Sequence, residues 1–174
     1  MTRQNLFSGT WDGDHEGDGR RRRVFWRPEG ARMGATLYEL APGTPGAGLH
    51  MHFGAEEMFF VLSGRPVFRN QHGEEQLAPG DFVFCPEGRA GLHTFSNPTD
   101  EPAELFAISA GSFPDVVVEV MGWDEAFVGA TVPDDAAAEA LAERVQAAVR
   151  ERTRLSCAVG IGDNLLRANI ATEF

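Results

Sequence analysis

His50-Met51-His52-Phe53-Gly54-Ala55-Glu56-Glu57-Met58-Phe59-Phe60-Val61-Leu62-Ser63-Gly64 is the stretch that decides the reading of this chain. Two histidines stand at i and i+2, a carboxylate follows five residues on, and an apolar run then ends in glycine. On an extended strand, positions i and i+2 face the same way with Cα atoms roughly 6.5–7 Å apart, so two imidazoles can converge on one ion. Gly54-Ala55 is expected to turn the chain, and Glu57 to open the next strand beside the imidazoles with Phe59 and Val61 on its face. Glu56 faces away in that register. A second stretch, Gly80-Asp81-Phe82-Val83-Phe84-Cys85-Pro86-Glu87-Gly88, leads to Leu92-His93-Thr94-Phe95-Ser96-Asn97 and brings a third histidine. Three imidazoles and one carboxylate are the donor set of a divalent-metal site. His50, His52, Glu57 and His93 are therefore the expected ligands, and Phe59 and Phe95 the expected pocket walls. The competing reading makes His50 and His52 a surface pair and His93 a core residue; the added carboxylate and the two glycine-bounded strands weigh against it. His15 and His72 fall in loops and are expected to face solvent.

Working outward, short β-branched and aromatic runs alternate with turn signals from residue 47 to residue 121. Val24-Phe25-Trp26 and residues 35–40 read as strands, followed by 57–62, 65–70, a short stretch to Leu77, 82–85, 92–95, 103–109 and 116–121. His72-Gly73 reads as a hairpin turn. This spacing, with no helical period in it, argues an all-β sandwich or barrel. Arg20 to Arg23 form a basic run, read as a solvated strand edge kept from aggregating by its charge, with an anion site as the alternative. Helix is expected only at 136–150, after Pro133-Asp134-Asp135, with Leu141 and Val145 buried on its apolar stripe. That helix is expected to lie outside the barrel or against a partner subunit. Residues 155–174 have no firm reading. The expected organisation is an irregular segment 1–22, a barrel 23–122, and a helix and tail 123–174.

The chain has 174 residues, 43% of them hydrophobic, with 20 Gly and 10 Pro, as suits one domain of many short strands. A net charge of −11 disfavours nucleic acid or an anionic membrane as partner. Two cysteines, Cys85 and Cys157, are too few for a disulfide framework and suit a reducing cytoplasm. No apolar run approaches the roughly 20 residues that span a bilayer, and the first residues lack the apolar core of a signal peptide. The expected location is cytoplasmic.

These motifs resemble those of the cupin superfamily, Gly-x5-His-x-His-x3,4-Glu-x6-Gly and Gly-x5-Pro-x-Gly-x2-His-x3-Asn. The first maps onto His50, His52, Glu57 and Gly64, and the second onto Gly80, Pro86, Gly88, His93 and Asn97. Thr44 stands where the first motif has its leading glycine. Four residues, Arg89 to Leu92, stand between Gly88 and His93 where the pattern has two. Residues 113–118 look like the closing strand of single-domain bacterial cupins with the conserved type 2 barrel. The resemblance implies a double-stranded β-helix (a jelly-roll barrel), here with a C-terminal amphipathic helix. It also implies a homodimer and one divalent ion, Fe, Mn, Ni, Zn or Co, with two open positions for a substrate or for substrate and O₂.

The leading functional reading is a metal-dependent enzyme, of dioxygenase, decarboxylase or isomerase type, acting on a small oxygen-rich organic molecule. A non-catalytic, metal-dependent binding or sensing module is the alternative from another class, and a storage scaffold the third. Tyr38 is the candidate general base, more readily read as a core or edge residue. Cys85 reads as a buried, inert thiol. A cavity filled by Phe59, Phe84, Phe95 or Trp123 would favour binding or structure over turnover; with Tyr38, the first three are the pocket candidates.

Overall fold

β-branched and aromatic runs closed off by glycine and proline have one low-energy outcome, antiparallel strands that bury alternate side chains. The computed structural model describes residues 3–14, 19–120 and 125–172. Trp123, Met121 and His15 lie outside them. The strands are β1 Arg20–Val24, β2 Met33–Leu40, β3 His50–Ser63, β4 Val67–Asn70, β5 Gly73–Gln76, β6 Phe82–Cys85, β7 His93–Ser96, β8 Ala103–Val120 and β9 Ala126–Ala130. They pair in the order β1-β2-β8-β3-β7-β4-β5, with β6 also on β3 and β9 also on β8. The fold is an all-β jelly roll. Residues 1–130 form one compact unit and residues 131–174 another.

Three strand boundaries differ from expectation. The first strand is the basic run itself, not residues 24–26: Arg20 to Val24 pair residue for residue with Leu40 to Thr36. Its ladder ends where Gln4 takes over, its side chain bonding both the N–H and the C=O of Trp26. Residues 103–109 and 116–121, read as two strands, belong to one, β8. Pro114 is tolerated there because the pairing jumps from Val116 to Gly111, so no ladder bond is asked of the intervening residues. Nor does the chain turn at Gly54-Ala55. β3 runs unbroken through fourteen residues and carries a bulge between Phe53 and Ala55. β9 had no counterpart in the sequence reading.

The barrel core gathers Leu40, Phe59, Val61, Phe68, Leu77, Cys85, Phe95, Leu105 and the small residues Ala103 and Ala107. Burying each large apolar side chain contributes roughly 1.5–3 kcal/mol. Asn97, fully buried, ties the strands together at one end. Its amide donates to the carbonyls of Leu40, Ala41 and Glu101, and its Oδ1 accepts from the N–H and hydroxyl of Thr99. The two extra residues before His93 are taken up by a 3₁₀ turn, Gly88–Gly91. A side chain at Gly91 would lie 1.7 Å from the Pro86 carbonyl oxygen.

In the second unit, helix α1 spans Asp135–Thr153 and helix α2 Leu165–Ile170. Asp134 caps α1 by accepting from the N–H of Ala137, as the Pro-Asp-Asp start predicts. Leu141 and Val145 are half-buried rather than buried. The stripe they share is mostly alanine, and a narrow stripe of small side chains covers little surface. α2 starts at Asn164, which accepts from the N–H of Arg167.

Asn97→Ala would remove the two amide hydrogens shared among the carbonyls of Leu40, Ala41 and Glu101. Thermal or urea unfolding is expected to register a loss of about 3 kcal/mol. A loss below about 1 kcal/mol would mean that Asn97 is not a structural tie.

Candidate metal centre

The site begins with a parity problem. In a regular strand His50 and His52 share a face, and Glu57, an odd number of residues further on, points to the other. The bulge removes the conflict. Gly54 adopts φ 98°, a conformation that glycine tolerates, and absorbs one residue. Beyond it Ala55, Glu57, Phe59 and Val61 face the barrel interior while Glu56 is exposed. The N–H displaced from the ladder at Gly54 donates to Glu87 from the loop after β6.

β7 supplies the remaining histidine. His93 lies directly across from His50 in the antiparallel pairing, and their rings are 4.4 Å apart at the centroids. The result is a group in which one donor atom from each of His50, His52, Glu57 and His93 lies within 4.8 Å of the others. Glu57 Oε2 is 3.0 Å from His52 Nε2 and 3.3 Å from His93 Nε2.

Two observations test whether this set fits a metal. His50 Nδ1 lies 3.0 Å from the Gly48 carbonyl and His93 Nδ1 2.7 Å from the Gly91 carbonyl. A carbonyl only accepts, so each Nδ1 carries the proton and each Nε2 presents a lone pair to the cluster. Glu57 Oε2 and His93 Nε2 are buried, yet neither makes a hydrogen bond of proper geometry. Lone pairs gathered in a buried place without satisfying one another are what a cation would satisfy. The donor set fits a divalent ion.

The electrostatics agree. Burial, with the His93 ring beside it, lowers the pKa of His50 from 6.5 to about 4, so its imidazole is neutral at pH 7. Burial acts to raise the Glu57 pKa, but the flanking His52 and His93 more than reverse this and hold it at about 2. Glu57 is a carboxylate throughout the physiological range.

The donors open onto a cavity of about 100 Å³ lined also by Arg20, Tyr38, Leu40, Phe59, Thr94, Phe95 and Leu105. Phe59 packs with its ring tilted against Phe95 at 4.7 Å and against His93 at 5.2 Å between centroids, forming the cavity wall. Of the expected pocket residues, Phe84 is elsewhere. β6 turns Val83 and Cys85 inward, so Phe82 and Phe84 stand outward, 63% and 50% exposed. Burial and then the Glu57 charge raise the Tyr38 pKa, which keeps the hydroxyl protonated and makes it a donor rather than a base. The Cys85 thiol is pushed up to about 12 by burial and by Glu57, so it is inert. His72 is exposed in the turn between β4 and β5. Leu40, Thr94 and Leu105 were not picked out beforehand; strand alternation from Tyr38 is the signal that finds Leu40, and Arg20, singled out only as part of the basic run, lies across the ladder from it. A larger surface hollow of about 510 Å³ is lined by residues 27–32 and Gly111 and lies apart from this cluster.

Comparison with known proteins gives two separate likenesses. Residues 36–109 match the family model described as Cupin domain. Residues 89–173 match that of the impB/mucB/samB family. Among solved structures, a sugar phosphate isomerase of the cupin superfamily from Silicibacter pomeroyi has 26% identity over 68% of this chain and 79% of that one, at TM-score 0.56. The polyketide cyclase RemF from Streptomyces resistomycificus shares the fold at 21% identity, over 71% of this chain and 88% of that one, at TM-score 0.57. Among curated proteins, DNA polymerase IV 2 of Mycobacterium tuberculosis is 46% identical over 57 residues, 32% of this chain. The DNA polymerase IV of Nitrosopumilus maritimus is 38% identical over 116 residues, 64% of this chain. The chain spans only 16% and 29% of those two polymerases.

The pKa directions set a pH dependence for the metal-free protein. His50 has a folded pKa of about 4 against an ordinary 6.5, so between those values the unfolded chain binds the extra proton. Stability therefore falls as pH drops through that window, by at most on the order of 3 kcal/mol. The Glu57 contribution adds to the loss below its ordinary 4.5. Melting temperature is expected to decline from pH 6.5 to 4 in the wild type and to decline less in His50→Gln. Identical profiles for the two proteins would contradict this.

Proposed function

We propose that this chain, a cupin-superfamily protein, is a metal-dependent enzyme acting on a small, oxygen-rich organic molecule, with His50, His52, Glu57 and His93 as the ligands of one divalent ion. The convergence of four donors on one point, two of them oriented by backbone carbonyls, is the observation that carries this reading. When bound there, a divalent ion supplies Lewis acidity to a substrate oxygen. The chain's own residues do the rest. Phe59, Phe95, Leu40 and Leu105 exclude water from the cavity, and the Tyr38 hydroxyl offers a hydrogen bond to a substrate oxygen. A volume of about 100 Å³ is well below the roughly 300–1,000 Å³ of drug-sized sites, in keeping with a small substrate.

Isomerisation is the reaction class with most support, because the sugar phosphate isomerase neighbour shares both the fold and 26% identity. Iron, manganese, nickel, zinc and cobalt all suit this ligand set. The likeness to DNA polymerase IV spans too little of those proteins to support a shared activity, and a net charge of −11 opposes binding to nucleic-acid phosphates. Among the described residues no helix is long and apolar enough to cross a membrane, and a cytoplasmic location suits the two free cysteines. A homodimer is part of the proposal: exposed Phe82 and Phe84 form an apolar outer stripe that a second subunit would cover. Sedimentation at micromolar concentration tests it, a monomer refuting it.

Elemental analysis of the purified protein is expected to find about one transition metal ion per chain. His50→Ala and His52→Ala should each strip it, Glu57→Gln should weaken binding roughly tenfold or more, and His72→Ala and Glu56→Gln should leave it unchanged. Turnover of aldose and ketose phosphates should vanish on chelation and return with the ion. Tight metal binding without turnover of any substrate in a broad panel would favour the binding-module reading.

A further inference from the structure

The bulge that aligns Glu57 is held from two sides. Toward β8, the Gly54 carbonyl lies so close to Gly111 that a Cβ at position 111 would come within 2.1 Å of its oxygen. The opposite edge of β3 is open at this point. The ladder of β6 on β3 ends at Glu57, opposite Cys85, and β7 meets β3 at His50, opposite His93. The link between β6 and β7 crosses this gap, and a Cβ at Gly88 would lie 3.7 Å from the Phe53 ring. From that link Glu87 reaches across, its Oε2 accepting from the Gly54 N–H at 3.2 Å.

Glu87 stands at the N-cap of the 3₁₀ turn Gly88–Gly91 in extended backbone, φ −62° and ψ 154°. A carboxylate there would ordinarily bond the N–H groups of its own turn. Glu87 makes no such cap and serves β3 instead. The far end of the same turn orients a second member of the cluster. Gly91 packs against the Pro86 carbonyl, where a Cβ would lie at 1.7 Å, and its own carbonyl oxygen lies 2.7 Å from His93 Nδ1. One short link, residues 86–92, therefore touches the bulge behind Glu57 at one end and the His93 ring at the other.

Resting on the metal-centre reading above, we propose that Glu87 is a positioning residue for the metal centre: by holding the Gly54 N–H it fixes the bulge, and through the bulge the direction in which Glu57 presents its carboxylate to the ion. The side chains beyond a bulge take their aim from it, so a peptide free to rotate at Gly54 spreads the aim of Glu57. Water can replace Glu87 as the acceptor but not as the tether to the β6–β7 link. Loss of Glu87 therefore leaves the strand paired and the chain folded while the carboxylate loses its fixed direction. What the role requires of Glu87 is an acceptor oxygen at that reach, not its charge.

The test titrates the full chain with cobalt(II) and reads two quantities, affinity against a competing chelator and the visible d–d absorption of the bound ion. Glu87→Ala is expected to weaken binding about fivefold to tenfold and to alter the d–d spectrum. Glu87→Gln keeps an acceptor oxygen at the same reach and should match the wild type within about twofold, with the same spectrum. Glu87→Asp keeps the charge but falls short of Gly54, and should behave as Glu87→Ala does. Glu74→Ala removes a carboxylate from the exposed strand β5 and should change neither quantity. Wild-type affinity and spectrum in Glu87→Ala would overturn the proposal, whatever happens to its melting temperature. So would a loss in Glu87→Gln with retention in Glu87→Asp, which would assign the effect to charge. Failure of the wild type to take up stoichiometric cobalt overturns this proposal together with the metal-centre reading.

Discussion

The bulge at Gly54 is the constraint on which the rest of the centre depends. A strand presents its side chains in strict alternation, so a histidine pair and a carboxylate five residues beyond it cannot share a face without one residue being taken out of the count. Gly54 is that residue, held at φ 98° with its N–H turned to Glu87. The partner strand adjusts at the same place, its pairing stepping from Val116 to Gly111. Glycine is required at position 54 by conformation: a β-branched residue at that φ is strongly disfavoured. One backbone irregularity thus determines which way Glu57, Phe59 and Val61 point, and so both the ligand set and the cavity wall.

The second physical theme is the cost of assembling this cluster. Three imidazoles and a carboxylate are taken out of water, and two buried donor atoms are left without well-formed hydrogen bonds. An arrangement selected for stability alone would fill the same space with apolar side chains. The surrounding jelly roll holds the cluster in place from several sides. β3 supplies three of the clustered side chains, β7 supplies the third histidine, and Asn97, four residues after it, locks that strand to the loop after β2. The Nδ1 contacts to Gly48 and Gly91 follow the same pattern at both histidines, each ring bonded to the carbonyl two residues before it. Orientation therefore comes from local backbone, and does not wait for the ion.

Much of this was legible in the sequence, for identifiable reasons. Residue spacing carries the ligand types, because i and i+2 on a strand and a glycine-bounded return are properties of short segments. The helix start at Asp134 was equally local. What spacing could not carry was parity across an irregularity. Gly54 signals a positive φ in a turn and in a bulge alike, and only the pairing of β3 with β8 distinguishes them. The same limit sent Phe84 to the wrong side of β6, since both of its flanking positions are apolar. The arginine run was legible as a strand edge from its charge alone, while the extension of that strand to Trp26 was not, because Gln4 rather than β2 meets Trp26. The tail had no firm reading, and its glycines lie close against the α2 segment, where a Cβ at Gly160 or Gly162 would collide with the backbone.

The chain carries two separate likenesses, one to a cupin model over the barrel strands and one to the impB/mucB/samB model over a stretch that begins near β7 and runs through both helices. The metal-centre account rests on the first alone, and its central claim is the identity of the donors around the ion. X-ray absorption at the cobalt edge, on protein loaded with one equivalent of cobalt(II), reads those donors directly. The account predicts three imidazole nitrogens and a carboxylate oxygen in the first shell, with the imidazole count falling to two in His93→Ala. A shell of oxygen donors only, a sulfur scatterer from Cys85, or a spectrum unchanged in His93→Ala would contradict it.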